Sequence, residues 1–302
     1  MASAHDTPTL GETEEEVLGV AAVLEDGRSR GSNQQNHVLS FKITKNGEFE
    51  GLPDPLNTPD MSSLIRHMSR LTGKIKVGTV HCTGFVQAVR QGIFPKCPGR
   101  MCPENHQNGG RGYILTVTTA LHVVEKATDQ CPAKVKLSWH QDGRPHQLTA
   151  HLCSVVDTDK DCSEKDWCAV EFITHNTETV AKLKENLEEF QESQGNLYRE
   201  YKRNKGDQLV IIVSYPNGGA KQLSYCPKFY KREHVKYVRE DQESCRYSYG
   251  APTSEESRGA PVFILGQPLC GYGYWLGHPH IHSRSTGAIG HSSLGNDHVD
   301  RE

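Results

Sequence analysis

The fold is decided by the stretch Ser257-Arg258-Gly259-Ala260-Pro261-Val262, a turn of small residues that leads into an apolar strand. Two earlier stretches complete the pattern: Thr119-Ala120-Leu121-His122-Val123-Val124 and Asp166-Trp167-Cys168-Ala169-Val170. His122 and Asp166 are 44 residues apart, and the turn follows about 91 residues after Asp166. Nucleophilic catalysis needs a base, a carboxylate that orients it, and a turn that presents a nucleophile beside backbone N–H groups. The three stretches place candidates for these groups in one order along the chain.

The three stretches resemble the trypsin/chymotrypsin-like serine peptidases of the PA clan. In that family the base lies in a Thr-Ala-Ala-His turn and the acid begins an Asp-(Leu/Ile)-Ala strand. The nucleophile lies in a Gly-x-Ser-Gly-(Gly/Ala)-Pro-Val turn. The resemblance covers about residues 74–280. It implies an all-β fold of two six-stranded chymotrypsin-like barrels, with the catalytic groups in the cleft between them.

The resemblance also implies roles for individual residues. His122 matches the general base and Asp166 the orienting acid. Tyr274 and Trp275 resemble the strand that binds the substrate backbone, although packing in the core explains the tryptophan equally well. A polypeptide substrate or a protein partner is then expected in the cleft between the barrels.

The nucleophile turn departs from the family pattern at two positions. Arg258 stands where the serine belongs, and a guanidinium stays protonated and is no nucleophile. Glu256 replaces the glycine whose backbone freedom helps to aim an N–H at the developing oxyanion. Shifting the turn by one residue makes Ser257 the nucleophile, but Glu255 then occupies the glycine position. The sequence therefore predicts a degenerate site in either register.

Composition and apolar periodicity divide the chain into five segments. They are a polar, poorly ordered N-terminal extension (1–58), a short helix with the first barrel (59–176), a linker helix (177–206), the second barrel (207–282) and a flexible tail (283–302). Within the extension, Val38 to Ile43 reads as a short strand. The stripe of Leu183, Leu187, Phe190, Leu197 and Tyr201 predicts an amphipathic helix of about 25 residues. Its apolar face packs either on the barrels or in a coiled coil with a partner.

Charge and cysteine usage limit the classes of partner and compartment. The 302 residues carry a net charge of -3, so we expect no nucleic-acid-binding surface. The sequence contains no run of 18 apolar residues, so we expect no membrane-spanning helix. The N-terminus lacks the basic and apolar regions of a secretory signal. Val123 follows His122, where secreted trypsins usually carry a cysteine, so the ten cysteines are expected to be mostly thiols. We therefore expect an intracellular, cytoplasmic protein.

Two groups of residues suggest zinc, but no metal or other cofactor is expected. His278, His280 and His282 alternate and would share one face of a strand. Because no cysteine or acidic residue lies at a suitable local spacing, we expect exposed histidines near the tail. Cys97 and Cys102 with His106 form the other group, which would need a distant fourth ligand, so we expect a flexible insertion there.

Three functions remain open from the sequence. The best supported is a catalytically impaired peptidase homologue. It would act as a binding or regulatory module through the cleft between the barrels, where active members of the family bind substrate. The second is an active intracellular serine endopeptidase that uses Ser257 with His122 and Asp166. The third is a scaffold that acts through the helix over residues 177–203.

Overall fold

The structure, a computed structural model, describes residues 18–22, 38–41, 57–94, 110–141, 144–158, 166–203, 208–227, 229–268 and 278–299. Within these ranges the chain forms sixteen strands and three α-helices. The strands are β1 (Leu18–Ala22), β2 (Val38–Phe41), β3 (Thr72–Val77), β4 (Val80–Phe94), β5 (Gly110–Thr119), β6 (Lys134–Gln141), β7 (Arg144–Thr158), β8 (Cys168–Thr174), β9 (Val210–Ser214), β10 (Gln222–Cys226), β11 (Phe229–Arg239), β12 (Gln242–Tyr249), β13 (Val262–Ile264), β14 (His282–Thr286), β15 (Ile289–Ser292) and β16 (Gly295–His298). The helices are α1 (Pro59–Leu71), α2 (Leu121–Val124) and α3 (Thr177–Tyr201).

The first half of the chain forms a closed six-stranded barrel in the order β3-β4-β5-β8-β7-β6. Antiparallel pairing of β3 with β6 closes it. Its strands alternate apolar and polar positions, so that Leu115, Val117, Val135, Val170 and Phe172 are fully buried inside. The first of the two predicted barrels is therefore present.

The second half contains two separate sheets in the described residues, so a closed second barrel is not confirmed. One sheet has the order β13-β9-β10-β1-β2, and the other joins β11, β12, β15 and β14, with β16 also paired to β12. The chain is accordingly mostly β, with one closed barrel and a long helix. No helix among the described residues is long and apolar enough to cross a membrane.

Both ends of the chain contribute strands, of which the sequence predicted only β2, within Val38 to Ile43. Within the N-terminal extension, β1 pairs in parallel with β10 and antiparallel with β2, so parts of this segment join a sheet. The expected flexible tail over 283–302 is wrong, because β14, β15 and β16 lie there and pair with one another or with β12. Short strands rich in Ser, Gly and His have little apolar signal of their own, and long-range pairing with β12 decides their structure.

The predicted linker helix is present as α3, and it packs on the first barrel. Asn176 caps it by accepting a hydrogen bond from the Thr179 N–H at 2.9 Å. Val180, Leu183, Phe190 and Leu197 are buried, and the Phe190 ring lies 5.3 Å from that of Phe85 on β4. The short helix predicted before the barrel is α1, which Thr58 caps by accepting a hydrogen bond of 3.3 Å from the Met61 N–H.

Candidate active site

The register of the barrel brings His122 and Asp166 together. Thr119 at the end of β5 pairs with Cys168 at the start of β8, so the turn after β5 and the residue before β8 lie at one end of the barrel. His122 Nδ1 lies 2.8 Å from both carboxylate oxygens of Asp166. The backbone N–H of His122 also donates to Asp166 Oδ1 at 3.2 Å. The hydrogen bond expected between the two side chains is therefore present, and their catalytic roles stay predictions.

The hydrogen bonds select one form of the histidine ring. A carboxylate only accepts hydrogen bonds, so His122 Nδ1 carries a hydrogen and donates it in a hydrogen bond to Asp166. In the neutral ring Nε2 is then an acceptor. A histidine that acts as a general base in a catalytic triad needs that tautomer, with Nε2 directed at the nucleophile.

Arg258 occupies the place in front of His122 Nε2. Its Nη1 lies 3.1 Å from that nitrogen, and because a guanidinium only donates, Nε2 accepts the bond. Arg258 Nη2 lies 3.5 Å from a Glu255 carboxylate oxygen, which holds the other side of the guanidinium. The Arg258 and His122 side chains are 28% and 33% exposed, so this contact lies at an accessible surface. A fixed cation thus stands where a serine hydroxyl would meet the base.

Ser257 lies on the opposite side of the turn. It is fully buried, and its Oγ lies 3.0 Å from Ser214 Oγ on β9. The same Oγ accepts the Ser254 N–H at 3.1 Å and closes a capping box around residues 254–257. The structure therefore does not place Ser257 where His122 can take its proton, which argues against the serine as an alternative nucleophile.

The backbone N–H groups of the turn are used within the chain. Residues 255–257 form a short 3₁₀ turn, in which the Ser257 N–H donates to Ser254 O and the Arg258 N–H to Glu255 O, both at 3.1 Å. An oxyanion site needs such donors free and aimed at the substrate. The Glu256 carboxylate accepts a hydrogen bond from Ser254 Oγ at 2.9 Å, which also stabilises the closed turn.

Gly259 seats this turn against the first barrel. Its φ of +85° lies in the region that favours glycine. A Cβ at this position would lie 2.2 Å from Thr83 O and 2.9 Å from Ala120 N. The Thr83 N–H donates to Arg258 O at 2.9 Å, so the close approach fixes the backbone that carries Arg258 beside His122.

The cysteines near the site are thiols rather than nucleophiles. Burial raises the pKa of Cys82 to about 12, and burial likewise raises that of Cys168 far above its ordinary value. Cys82 lies at the base of the site, where its sulfur is 3.4 Å from Thr119 Oγ1. None of the six cysteines in the described ranges forms a disulfide bond.

Other residues that the sequence singled out lie elsewhere. Tyr274 and Trp275 fall outside the described residues, as do Cys97, Cys102 and His106. The expectation of exposed histidines near the tail is wrong, because His280 and His282 are fully buried under the C-terminal strands.

Each buried histidine contacts residues distant in sequence. His282 Nδ1 lies 2.8 Å from the Tyr249 hydroxyl, while His280 meets Cys245 and Asp297. Reasoning from local spacing missed these partners because they lie 17 to 35 residues away from the histidines. No signal in the sequence joins them.

No protein-family model and no curated protein matches the chain. Among solved structures it is similar to the inactive form of the Rv3671c protease from M. tuberculosis, at 14% identity and a TM-score of 0.39 over 80% of this chain and 90% of that one. With Deg5 the sequence identity is 14% and the TM-score 0.41, over 80% of this chain and 91% of that one. With the HtrA-type protease AlgW the identity is 12% and the TM-score 0.34, over 78% of this chain and 63% of that one.

Identities and TM-scores this low assign no activity. The closed barrel, the His122–Asp166 pair at its end and the turn before Pro261 are features of this chain itself. Together they form a closed six-stranded barrel with a hydrogen-bonded histidine–aspartate pair at one end.

Proposed function

We propose that this chain is a peptidase homologue without peptidase activity, which binds a polypeptide or regulates a partner through the cleft beside His122. The observation that carries the proposal is the 3.1 Å contact between Arg258 Nη1 and His122 Nε2. Arginine takes the position of the nucleophile and engages the lone pair that would accept the nucleophile's proton. A base whose lone pair is held by a permanent cation cannot activate a neighbouring hydroxyl.

Two further features support inactivity independently of the Arg258 side chain. Ser257 is fully buried and hydrogen-bonded to Ser214. The Arg258 N–H, which would stabilise an oxyanion in an active turn, donates to Glu255 O instead. Restoring activity therefore requires a nucleophile, a free base and an opened turn together.

The surface beside the pair supports a binding role. Arg258 and His122 are partly exposed, and the Arg258 guanidinium presents N–H donors beside its contacts with Glu255 and His122. We also propose that the second half of the chain completes a second barrel, with a cleft between the two barrels, and that the protein is located inside the cell. Since the apolar face of α3 is buried against the barrel, a scaffold that pairs this face with a partner is less favoured.

Fluorophosphonate labelling tests the proposal. Wild-type protein should label no more than Ser257→Ala, because Ser257 lies away from the base. The double change Glu256→Gly with Arg258→Ser rebuilds the Gly-x-Ser-Gly-Ala-Pro turn and should gain labelling at position 258. Arg258→Ser alone should label less, because a lost oxyanion donor typically costs about 10²–10³ in rate.

The matched variants separate the possible outcomes. Stoichiometric labelling of the wild type that Ser257→Ala abolishes would overturn the proposal in favour of an active endopeptidase. A folded double variant that stays unlabelled would show that the site has lost more than these two residues, and would leave wild-type inactivity supported.

A further inference from the structure

A buried cluster of Cys245, His280 and Asp297 lies in the second half of the chain, apart from Arg258 and His122. Cys245 belongs to β12, Asp297 to the neighbouring β16, and His280 to the segment before β14. Cys245 and His280 are fully buried and Asp297 is 2% exposed. One possible ligand atom from each residue lies within 4.8 Å of the others.

We propose that Cys245, His280 and Asp297 bind one divalent transition-metal ion, for which zinc is the best match. A thiolate, an imidazole and a carboxylate are the three kinds of side chain that bind zinc in proteins. A set of one soft sulfur with nitrogen and oxygen disfavours magnesium and calcium, which prefer oxygen ligands alone.

The spacing of the donor atoms fits a tetrahedral ion. Zinc bonds of about 2.0–2.3 Å at tetrahedral angles place neighbouring ligand atoms about 3.3–3.6 Å apart. In the structure His280 Nε2 lies 3.1 Å from Asp297 Oδ1, Cys245 Sγ lies 3.2 Å from Asp297 Oδ2, and Cys245 Sγ lies 3.8 Å from His280 Nε2. Small side-chain movements are enough to admit the ion.

Neighbouring residues form hydrogen bonds to the cluster, and such bonds fix the orientation of metal ligands in proteins. His280 Nδ1 lies 3.3 Å from Ser292 Oγ, which leaves Nε2 directed at the cluster. Arg232 Nη2 and the Tyr247 hydroxyl donate to Asp297 Oδ2 at 2.8 and 2.5 Å. The three donors are therefore held in place before any ion binds, which lowers the cost of ordering the site.

Charge balance also favours a dication. Arg232 pairs with both Asp297 and Glu243, so one positive charge faces two carboxylates. Zinc binding brings two positive charges to this group and releases the thiol proton of Cys245.

The alternative is a hydrogen-bonded polar cluster without metal. In that case the Cys245 thiol donates to Asp297 and the carboxylate is shared among His280, Arg232 and Tyr247. The two possibilities differ in metal content and in what Cys245 contributes. Both leave the Arg258 cleft unaffected, so this proposal stands or falls independently of the proposed function.

Metal analysis of the full chain is the direct test. Protein expressed with zinc in the medium should contain about one zinc per chain, and so should Cys226→Ser, which removes a buried cysteine from the other sheet. Cys245→Ser and His280→Gln should lose the ion or bind it at least 10-fold more weakly. Cobalt added to chelator-treated wild type should produce the absorption of a thiolate–cobalt bond, absent from Cys245→Ser.

The melting temperature guards against variants that fail to fold. Zinc should raise the melting temperature of wild type and Cys226→Ser but not of Cys245→Ser. Wild-type protein that contains no zinc and gives no thiolate–cobalt absorption would overturn the proposal. Equal zinc affinity in wild type and a folded Cys245→Ser would overturn it as well.

Discussion

At the scale of single residues, the contact between Arg258 and His122 depends on a glycine beside it. Gly259 combines a φ of +85° with a backbone carbonyl only 2.2 Å from where a Cβ would lie. Both features act on the same short turn, so any larger residue must displace the backbone that carries Arg258. The identity of position 259 thus controls the geometry of the site without touching His122.

Gly259→Ala should lower the free energy of unfolding by at least about 2 kcal/mol, since a left-handed conformation and a backbone clash add. The matched control is Gly287→Ala, where φ is +62° but nothing lies within 4 Å of the added Cβ. That change should cost only about 1 kcal/mol. Urea unfolding of both variants compares them. Equal losses would show that the contact with Thr83 does not determine the turn.

At the scale of elements, α3 is the part of the fold that the sequence predicted best. A 3.6-residue apolar stripe and the Asn176 cap are local signals, and the helix begins and ends within two residues of the predicted range 177–203. The tertiary structure determines which residues the apolar stripe contacts. The helix covers the first barrel, and its Phe190 ring packs against Phe85.

Phe190→Ala should lower the free energy of unfolding by about 3–5 kcal/mol, because it opens a cavity between α3 and the barrel. Glu188→Ala on the exposed face of the same helix should change it by no more than about 0.5 kcal/mol. Thermal or urea unfolding of the two variants measures the difference. A small effect of Phe190→Ala would mean that α3 is not part of the cooperative core.

At the scale of the whole molecule, buried histidines make the fold sensitive to acid. Burial, together with the charges of Arg258 and His291, lowers the pKa of His282 to about 3. Burial also lowers the pKa values of His67, His81 and His291. In the unfolded chain a histidine titrates near 6.5, so below that pH the unfolded state binds more protons than the folded state. Stability must therefore fall as the pH drops from about 6.5 toward 3.

Between pH 7.5 and 5.5, His282 alone should account for a loss of about 1.4 kcal/mol. His282→Gln can keep the hydrogen bond to Tyr249 and should remove that part of the pH dependence, while His175→Gln near the surface should not. Urea unfolding of the three proteins at both pH values gives the comparison. An unchanged pH dependence in His282→Gln would show that the ring is not held neutral.

The sequence by itself determined the features that rest on local signals. The turn that carries Arg258, the Asp166 partner of His122 and the helix over 177–203 all follow from short motifs or a single periodicity. The structure brings Arg258 and Asp166 into contact with His122 and contains the helix as α3. Such signals act within one element or one turn, where neighbouring residues in the chain are also neighbours in space.

Only the tertiary structure decided what depends on distant contacts. Burial of Ser257 against Ser214, pairing of β1 with β10, and the meeting of Cys245, His280 and Asp297 join residues that no local pattern relates. The C-terminal strands form because β12 offers backbone partners, and they then bury His280 and His282, which the sequence alone suggested were exposed. Long-range strand pairing, rather than the propensity of the strands themselves, determines this half of the molecule.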